Sequence, residues 1–573
     1  MKVRNLDYNS IIGLFLILSI LIFFTYFNKE NIENKKYVKK KKIETFFLKN
    51  SNNRNSKTKD FILENKVLRL KVTSLGGSIS EVFLKKYKAY DANYLVHKKN
   101  LYLIKDSSFL YNMAFPFSNK KGNEKLIHTN SLLFYPFFFK NEKNFTILVM
   151  RAKNPYNNGF IEHIYILKSK NQYDLDFQIR TINLSSSFKI GEEASINLEQ
   201  KIFSLEKDKK WENSYTQVYY STINNNENRK IKYLSEKEEE EKKITDLNWL
   251  ANKQQFFASI FIFKKPFDHS FVRSENFLSG PFLKKVKSKF LFKIKKNKEI
   301  KILFRLYFGP LDFSFLKKYD QKIENIIPFG WGFLKWINKY FFLLIFSFLE
   351  KTNLNYGIII ILMTIVVKLI LSPITYKQYK LSAMMKFIRP EIDNINNKFK
   401  NYDTLIKQRE IIKLYKKAGI NPMSGCFSAI FQIPIFYSLF KFFPTLINLR
   451  GKHFLWVKDL TSYDSILELP FFIPFYGNHV SLLTLLYSIA LLVYTKLSNN
   501  EKNNYSEDIS NMDFLLYFMP VVMLLFINSY ASGLSLYYFT SNVINIGLIF
   551  FIKKYMLNEN KIRQKIQERQ KRN

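Results

Sequence analysis

The chain of 573 residues has a single cysteine, Cys426. That excludes an intrachain disulfide and any metal site built from several cysteines, and it leaves Cys426 as a small apolar side chain. Six histidines, His97, His128, His163, His269, His453 and His479, are scattered. None forms a His-Glu-x-x-His pair or a serine-base arrangement readable from spacing. There is no Walker-type phosphate loop, which argues against ATP-driven work. No zinc-finger or RNA-binding motif is present either. Acidic residues are scarce, 47 Asp and Glu against 89 Lys and Arg, a net charge of +42. Such a charge suits nucleic acid or anionic lipid. Here lysine is spread along the whole chain together with asparagine, isoleucine, phenylalanine and tyrosine. That is a global bias of composition, and no specific nucleic acid is expected.

Long apolar runs are abundant, and they divide the chain. Ile11 to Phe27 is unbroken, exceeds a usual signal h-region and is followed by no small-residue cleavage site. It reads as an uncleaved anchor span within residues 1–28. Residues 29–60 are polar and lysine-rich, a tether. From Phe61 the pattern alternates: VLRLKV, then Gly76-Gly77, then SISEVFL, which is strand, turn, strand. HIYILK, YDLDFQIRTI, FFASIFIF, KFLFKI and IKILFRLYF repeat the theme. Residues 61–320 therefore read as an antiparallel β-sandwich domain. Within it, the charge run Glu236 to Lys243 reads as a solvated loop or helix.

The second half is mainly apolar. Residues 330–351 carry Trp331 and Trp336 but are interrupted by Lys335 and Lys339, which favours an interfacial amphipathic helix over an extra span. Gly357 to Tyr376 is long enough to cross a bilayer and has one charge, Lys368, near its middle. Lys368 lies roughly 17 Å from Gly357 and roughly 13 Å from Lys377 along a helix. A cation at that depth costs about 3 kcal/mol or more. One reading is a lysine that snorkels to the headgroups. The other is a lysine facing a watery cavity. Thr364, Ser372 and Thr375 share its helical face.

Residues 377–421 are charged, with Leu381, Met384, Met385, Ile388, Ile392, Ile395 and Phe399 at helical spacing. Pro390 should kink or restart this helix, and a turn at Asn401 to Asp403 should lead into a returning helix from Leu405 to Ala418. The expectation is a helical hairpin outside the membrane. Four spans follow, Met423–Phe443, Ser481–Leu497, Met512–Ile527 and Gly533–Ile552. The hairpin has eleven Lys and Arg against four Asp and Glu, and residues 553–573 have eight against two. The positive-inside rule then makes the hairpin and the basic tail (558–573) cytoplasmic, with the β-domain on the opposite side. The local charges at the first span, Lys2 and Arg4 before it and the denser Lys35 to Lys42 after it, do not favour a cytoplasmic N-terminus, and that expectation follows from the later loops.

Polar residues recur on single faces of these spans: Ser424, Ser428 and Gln432 on one, Tyr538, Ser541, Asn542 and Asn545 on another. Gln432 and Asn542 sit roughly 13 Å from the ends of their helices, close to the depth of Lys368. Interhelical hydrogen bonding would explain such faces at about 0.6 kcal/mol a contact. A shared hydrated groove explains the charge as well. No Asp or Glu occurs between the ends of the three spans that carry Lys368, Gln432 and Asn542.

VVKLILSPITYKQYKLSAMMKFIRPEI, INPMSGCFSAIFQIPIFYSLF and SGLSLYYFTSN resemble the YidC membrane protein insertases, relatives of the mitochondrial Oxa-type and chloroplast Albino-type proteins. VLRLKVTSLGGSISEVFL, WLANKQQFF and LYFGPLD echo the same family in the β-domain, so the resemblance covers nearly the whole chain. It implies a polytopic α-helical membrane protein of six spans. Five of these form an insertase core over 357–557, carrying the cytoplasmic hairpin 377–421. A β-supersandwich lies in the periplasm of an inner-membrane protein. It also implies a groove open to cytoplasm and lipid that receives the polar part of a nascent span. Lys368 stands where most relatives have arginine; Thr364, Gln432 and Tyr538 match groove positions, and Ser541 and Asn542 share the face of Tyr538. The expected partners are nascent membrane proteins, membrane lipids and, through the hairpin, the Sec translocon, ribosome or signal recognition machinery. No cofactor, metal or catalytic residue is expected. The competing readings are a secondary transporter using Lys368 as an anion or proton site, for which no inverted repeat is visible, and a plain membrane anchor for the β-domain, which leaves the polar faces unexplained.

Overall fold

A computed structural model describes residues 58–573 apart from 119–123, 143, 169, 186–191, 224–228, 278–279, 296–297, 320, 400–403, 420–422, 475, 500–509, 557–561, 565 and 569–573. The expected anchor span Ile11 to Phe27 and the tether lie outside the described residues, except for the last residues of the tether. The described chain divides into two compact units, one running up to Pro328 with Thr445–Ile447 added, the other made of the remaining C-terminal residues.

The first unit is built of antiparallel sheets. Asp60–Glu64, Leu68–Thr73, Ile79–Asp91 and Val96–Ile104 form a four-stranded meander. Its Gly76-Gly77 turn needs glycine: both residues have positive φ, and a Cβ on Gly77 would meet the Phe134 ring at 2.7 Å. The Gly77 carbonyl accepts from Tyr165 Oη at 2.6 Å and lies 3.0 Å from His163 Nδ1, so the turn is pinned to the neighbouring sheet. That sheet has nine strands, running in space from Arg229–Tyr233 through Lys301–Pro310 to Tyr135–Asn141. A six-stranded sheet, Glu240–Ile244 to Glu124–His128, faces it. Phe263 meets Phe290 at 5.0 Å across the two sheets, and Gln200 donates to Ser259 Oγ at 3.1 Å. Every alternating run singled out in the sequence lies in a strand.

One expectation fails here. The charge run at 236–243 is not merely a loop or helix: Glu240–Ile244 is the edge strand of the six-stranded sheet, paired with Ser270 to Ser274. Charges are tolerated there because an edge strand is exposed, and they discourage pairing with another chain.

The second unit is helical. Helix α1 runs over Gly332–Glu350, with a π-helical turn at Asn338–Phe342. It is followed by α2 (Tyr356–Lys398), α3 (Thr404–Lys417), α4 (Met423–Phe442), α5 (Leu482–Asn499), α6 (Ser510–Ile527) and α7 (Ser532–Phe551). Helix α7 packs on α5 and α2, α6 on α5, and α2 on α1 and α4. Helix α1, α2 up to Met385 and the stretch from Ser532 to Tyr555 are each long and apolar enough to cross a membrane; α5 and α6 contain shorter apolar stretches. The inward face of α1 carries Leu334, Ile337, Phe342 and Phe346; Phe333, Trp336, Tyr340 and Leu344 point out.

Of the two outcomes expected at Pro390, a kink or a restart, the restart does not occur: α2 continues for 43 residues through both Pro373 and Pro390, so the span and the first arm of the hairpin are one element. Proline deprives the carbonyl four residues earlier of its amide partner. For Pro373 that carbonyl is Leu369, and it accepts from Ser372 Oγ at 2.8 Å. The local hydroxyl replaces the missing donor, so the helix need not break. Farther along, Ile388 of α2 and Ala418 beyond α3 form a small core with Ile566, against which Ile562, Met384 and Tyr415 pack. The basic C-terminal segment is thereby attached to the helical pair.

Candidate functional site

The polar face of α2 resolves into groups with local duties and one without. Thr364 is buried and donates to Ile360 O at 2.7 Å, one turn back. Thr375 donates to Leu371 O at 3.2 Å. Ser372 serves Leu369, as described above. Such back-bonds satisfy a hydroxyl inside its own helix. Lys368, half-buried between Thr364 and Ser372, differs. Among the described residues it has no hydrogen bond and no ion pair. An ammonium with three donors and no partner is costly to hold in an apolar environment.

Helix α7 lies against α2 and supplies the second wall. Ser541 and Asn542 are buried on it, with no side-chain hydrogen bond among the described residues. Tyr538 is engaged: its hydroxyl donates to Phe436 O of α4 at 3.2 Å, and its ring lies 5.0 Å from that of Phe436 and 5.6 Å from that of Tyr487. Tyr538 therefore ties α7 to α4. Gln432 is exposed on α4, which packs against α2. The side chains of Ser424, Ser428 and Phe431 lie outside the described residues. The six residues expected to form a groove thus sit on three helices, of which α2 contacts the other two. Among the described residues no hydrogen bond joins any two of the six.

Comparison with known proteins decides the family. Residues 61–344 match the family described as YidC periplasmic domain, and residues 348–560 match the one described as 60Kd inner membrane protein. A membrane protein insertase YidC of Parabacteroides distasonis is 34% identical over 530 residues, covering 89% of this chain and 80% of the relative. One from Amoebophilus asiaticus is 34% identical over 593 residues, covering 98% and 94%. The chain belongs to the YidC family of membrane protein insertases.

As a YidC-family member it joins a β-sandwich-rich N-terminal part to several apolar helices in its C-terminal part. Among solved structures, a galactose mutarotase related enzyme from Lactobacillus acidophilus matches 44% of this chain and 97% of that one, at 10% identity and a TM-score of 0.28. That score is too low to support any argument about activity.

Sequence reasoning passed over several buried polar residues of this YidC-family unit. Asn338, in the π-turn of α1, donates to Phe329 O at 2.7 Å and to Ser438 O of α4 at 2.8 Å. Thr484 of α5 lies 3.1 Å from Ser535 of α7, and Ser488 donates to Pro520 O of α6 at 3.2 Å. The available signal was a small polar residue inside an apolar run.

Proposed function

We propose that this chain is an insertase and folding chaperone that moves nascent spans into the inner membrane through a hydrated groove centred on Lys368, without nucleotide hydrolysis. The observation that carries the reading is the ammonium of Lys368, unpaired among the described residues, beside hydroxyls already committed to their own helix. A cation without a partner in the protein is available to a partner from outside. A nascent span brings a polar, often acidic flank that must cross an apolar barrier. A wet site part-way across lowers that desolvation cost, and the cation adds attraction for a carboxylate. The apolar segment then leaves into lipid, which is its favourable solvent. Thr364, Gln432, Tyr538, Ser541 and Asn542 are assigned to the walls of the groove, and Met363, Phe431 and Phe436 to the greasy exit. Six spans, cytoplasmic termini, a cytoplasmic hairpin at 377–421 and a periplasmic β-domain complete the proposal; the basic hairpin and tail support that orientation. The hairpin is the proposed docking surface for ribosome, signal recognition machinery or Sec translocon. Helix α1 is proposed to lie in the interface.

The test is reconstitution of the pure protein in liposomes with a single-span substrate bearing an acidic N-terminal flank. Insertion in the absence of nucleotide is the expected result. Failure to insert, with active transport of a small anion or proton instead, would replace the insertase by a transporter.

A further inference from the structure

Helices α5 and α7 begin, and α6 ends, beside residues 450–480, which fold into a cap held by hydrogen bonds. Asp464 accepts from the free first-turn amides of Leu482 at 2.9 Å and Leu483 at 3.1 Å, and from Trp456 Nε1 at 3.1 Å. Ser532 N donates to Ser462 O at 2.8 Å, and Gly533 N to Leu460 O at 2.9 Å. Asn528, between α6 and α7, donates to Tyr476 O at 2.9 Å and to His479 O at 2.8 Å, and its side-chain oxygen accepts from Ser481 N at 3.0 Å. His479 stacks on Tyr463 with ring centres 3.7 Å apart. Gly477 has φ +108°, and a Cβ there would lie 3.0 Å from Ser529 Oγ. The cap is thus fixed to three helix ends at once.

From this base a hairpin projects, Leu467–Ile473 paired with Gly477–Val480. Among the described residues its sheet has only these two strands. An isolated two-stranded hairpin is marginal in water unless an apolar face is covered. Here the outer strand shows its apolar side chains to the surroundings: Leu467 is 57% exposed, Phe471 61% and Phe472 72%. Leu455 and Ile466 are exposed in the same cap. In a chain of net charge +42, residues 466–480 contain no lysine or arginine and one acidic residue, Glu468. Recognition by charge is therefore not what this surface offers. Its apolar exposure continues that of the adjoining helices, through Ile489 and Val493 of α5 and Phe526 at the capped end of α6.

We propose that the hairpin is an interfacial anchor, with Phe471 and Phe472 seated between lipid headgroups and upper acyl chains of the leaflet at this end of the bundle. Phenylalanine and leucine side chains on an otherwise polar surface enter that zone by burying apolar area at the boundary of headgroups and acyl chains. The clamped base sets the depth, so the hairpin resists tilting and vertical displacement of α5, α6 and α7. This goes beyond insertion, since the anchor holds with no client present.

The test uses the full chain carrying Cys426→Ser and Phe472→Cys, labelled with an environment-sensitive fluorophore, in phosphatidylcholine nanodiscs. Leu467→Cys provides a second position and Lys265→Cys a water-exposed reference. The expected result is a blue-shifted emission at 472, quenching by a lipid with a nitroxide near its headgroup, and loss of quenching by aqueous iodide relative to 265. Iodide quenching equal to that at 265, with no lipid quenching, would overturn the proposal. Protection from both quenchers would overturn it too, because a protein surface would then cover the tip.

Discussion

Replacement of Lys368 offers a graded test of an electrostatic groove. Among the described residues the ammonium has no partner inside the protein, so its removal strands no carboxylate and breaks no internal ion pair. What changes is the field met by an incoming flank. Two unit charges about 8 Å apart interact by about 2 kcal/mol at an effective permittivity of about 20, and by about 0.5 kcal/mol in bulk water. Since about 1.4 kcal/mol is tenfold, a groove less polar than water makes Lys368→Gln about thirtyfold weaker for one acidic flank residue, and a fully aqueous one about twofold. Lys368→Glu reverses the sign and should lose about as much again. Lys368→Arg keeps the charge and should retain activity. Substrates with neutral flanks should fall by much less across the same four proteins. The assay is protease protection of the translocated flank at equal protein levels. Equal insertion of an acidic-flank substrate by the lysine and glutamate versions would refute the reasoning and return Lys368 to a snorkelling side chain.

For topology, single cysteines at Ser186, Ser382 and Gln570 in a Cys426→Ser background should report with an impermeant thiol reagent on cells with a permeable outer membrane. Only position 186 should label, and labelling at 382 would reverse the orientation. Removing residues 61–300 should leave insertion largely intact, whereas removing 380–416 should impair it; normal insertion by a stable hairpin-deleted protein would contradict the docking role. Asn338→Leu leaves the carbonyls of Phe329 and Ser438 without their donor, a loss of about 1–3 kcal/mol. Faster thermal inactivation of the purified protein is the expected readout, and an unchanged rate would argue against the clamp. His163 is buried against Phe134, and burial holds its pKa down, from 6.5 to about 4. The unfolded chain therefore binds the extra proton first as pH falls, and the β-domain should lose up to about 3 kcal/mol between about pH 6.5 and 4. Denaturant titrations of wild type and His163→Gln should differ in slope only in that window; parallel curves would show that His163 is not held neutral by the fold.

Local pattern was enough to read the division into a β-rich half and an apolar helical half. Strand alternation and long apolar runs report directly which side chains must leave water, whatever lies next to them. Gly76-Gly77 was legible for the same reason, since a turn with positive φ depends on the residues in it. Lys368 stood out because a charge within an apolar run is conspicuous in one dimension. The duties of its neighbours were not legible. That Thr364 and Ser372 spend their hydroxyls on Ile360 and Leu369, while Lys368 makes no such bond among the described residues, depends on rotamers and on the carbonyl that Pro373 releases. That the helix runs on through Pro390 without restarting is not legible locally: proline disfavours continuation, while packing of Ile388 against Ala418 and Ile566 rewards it. The pairing of Glu240–Ile244 with a strand that starts at His269, the bonds of Asn338 to Ser438 and of Asn528 to His479, and the cap across three helix ends all join residues far apart along the chain. No local period encodes such partners: each exists only once tertiary packing brings the two groups within hydrogen-bonding distance and withdraws the water that would otherwise satisfy them.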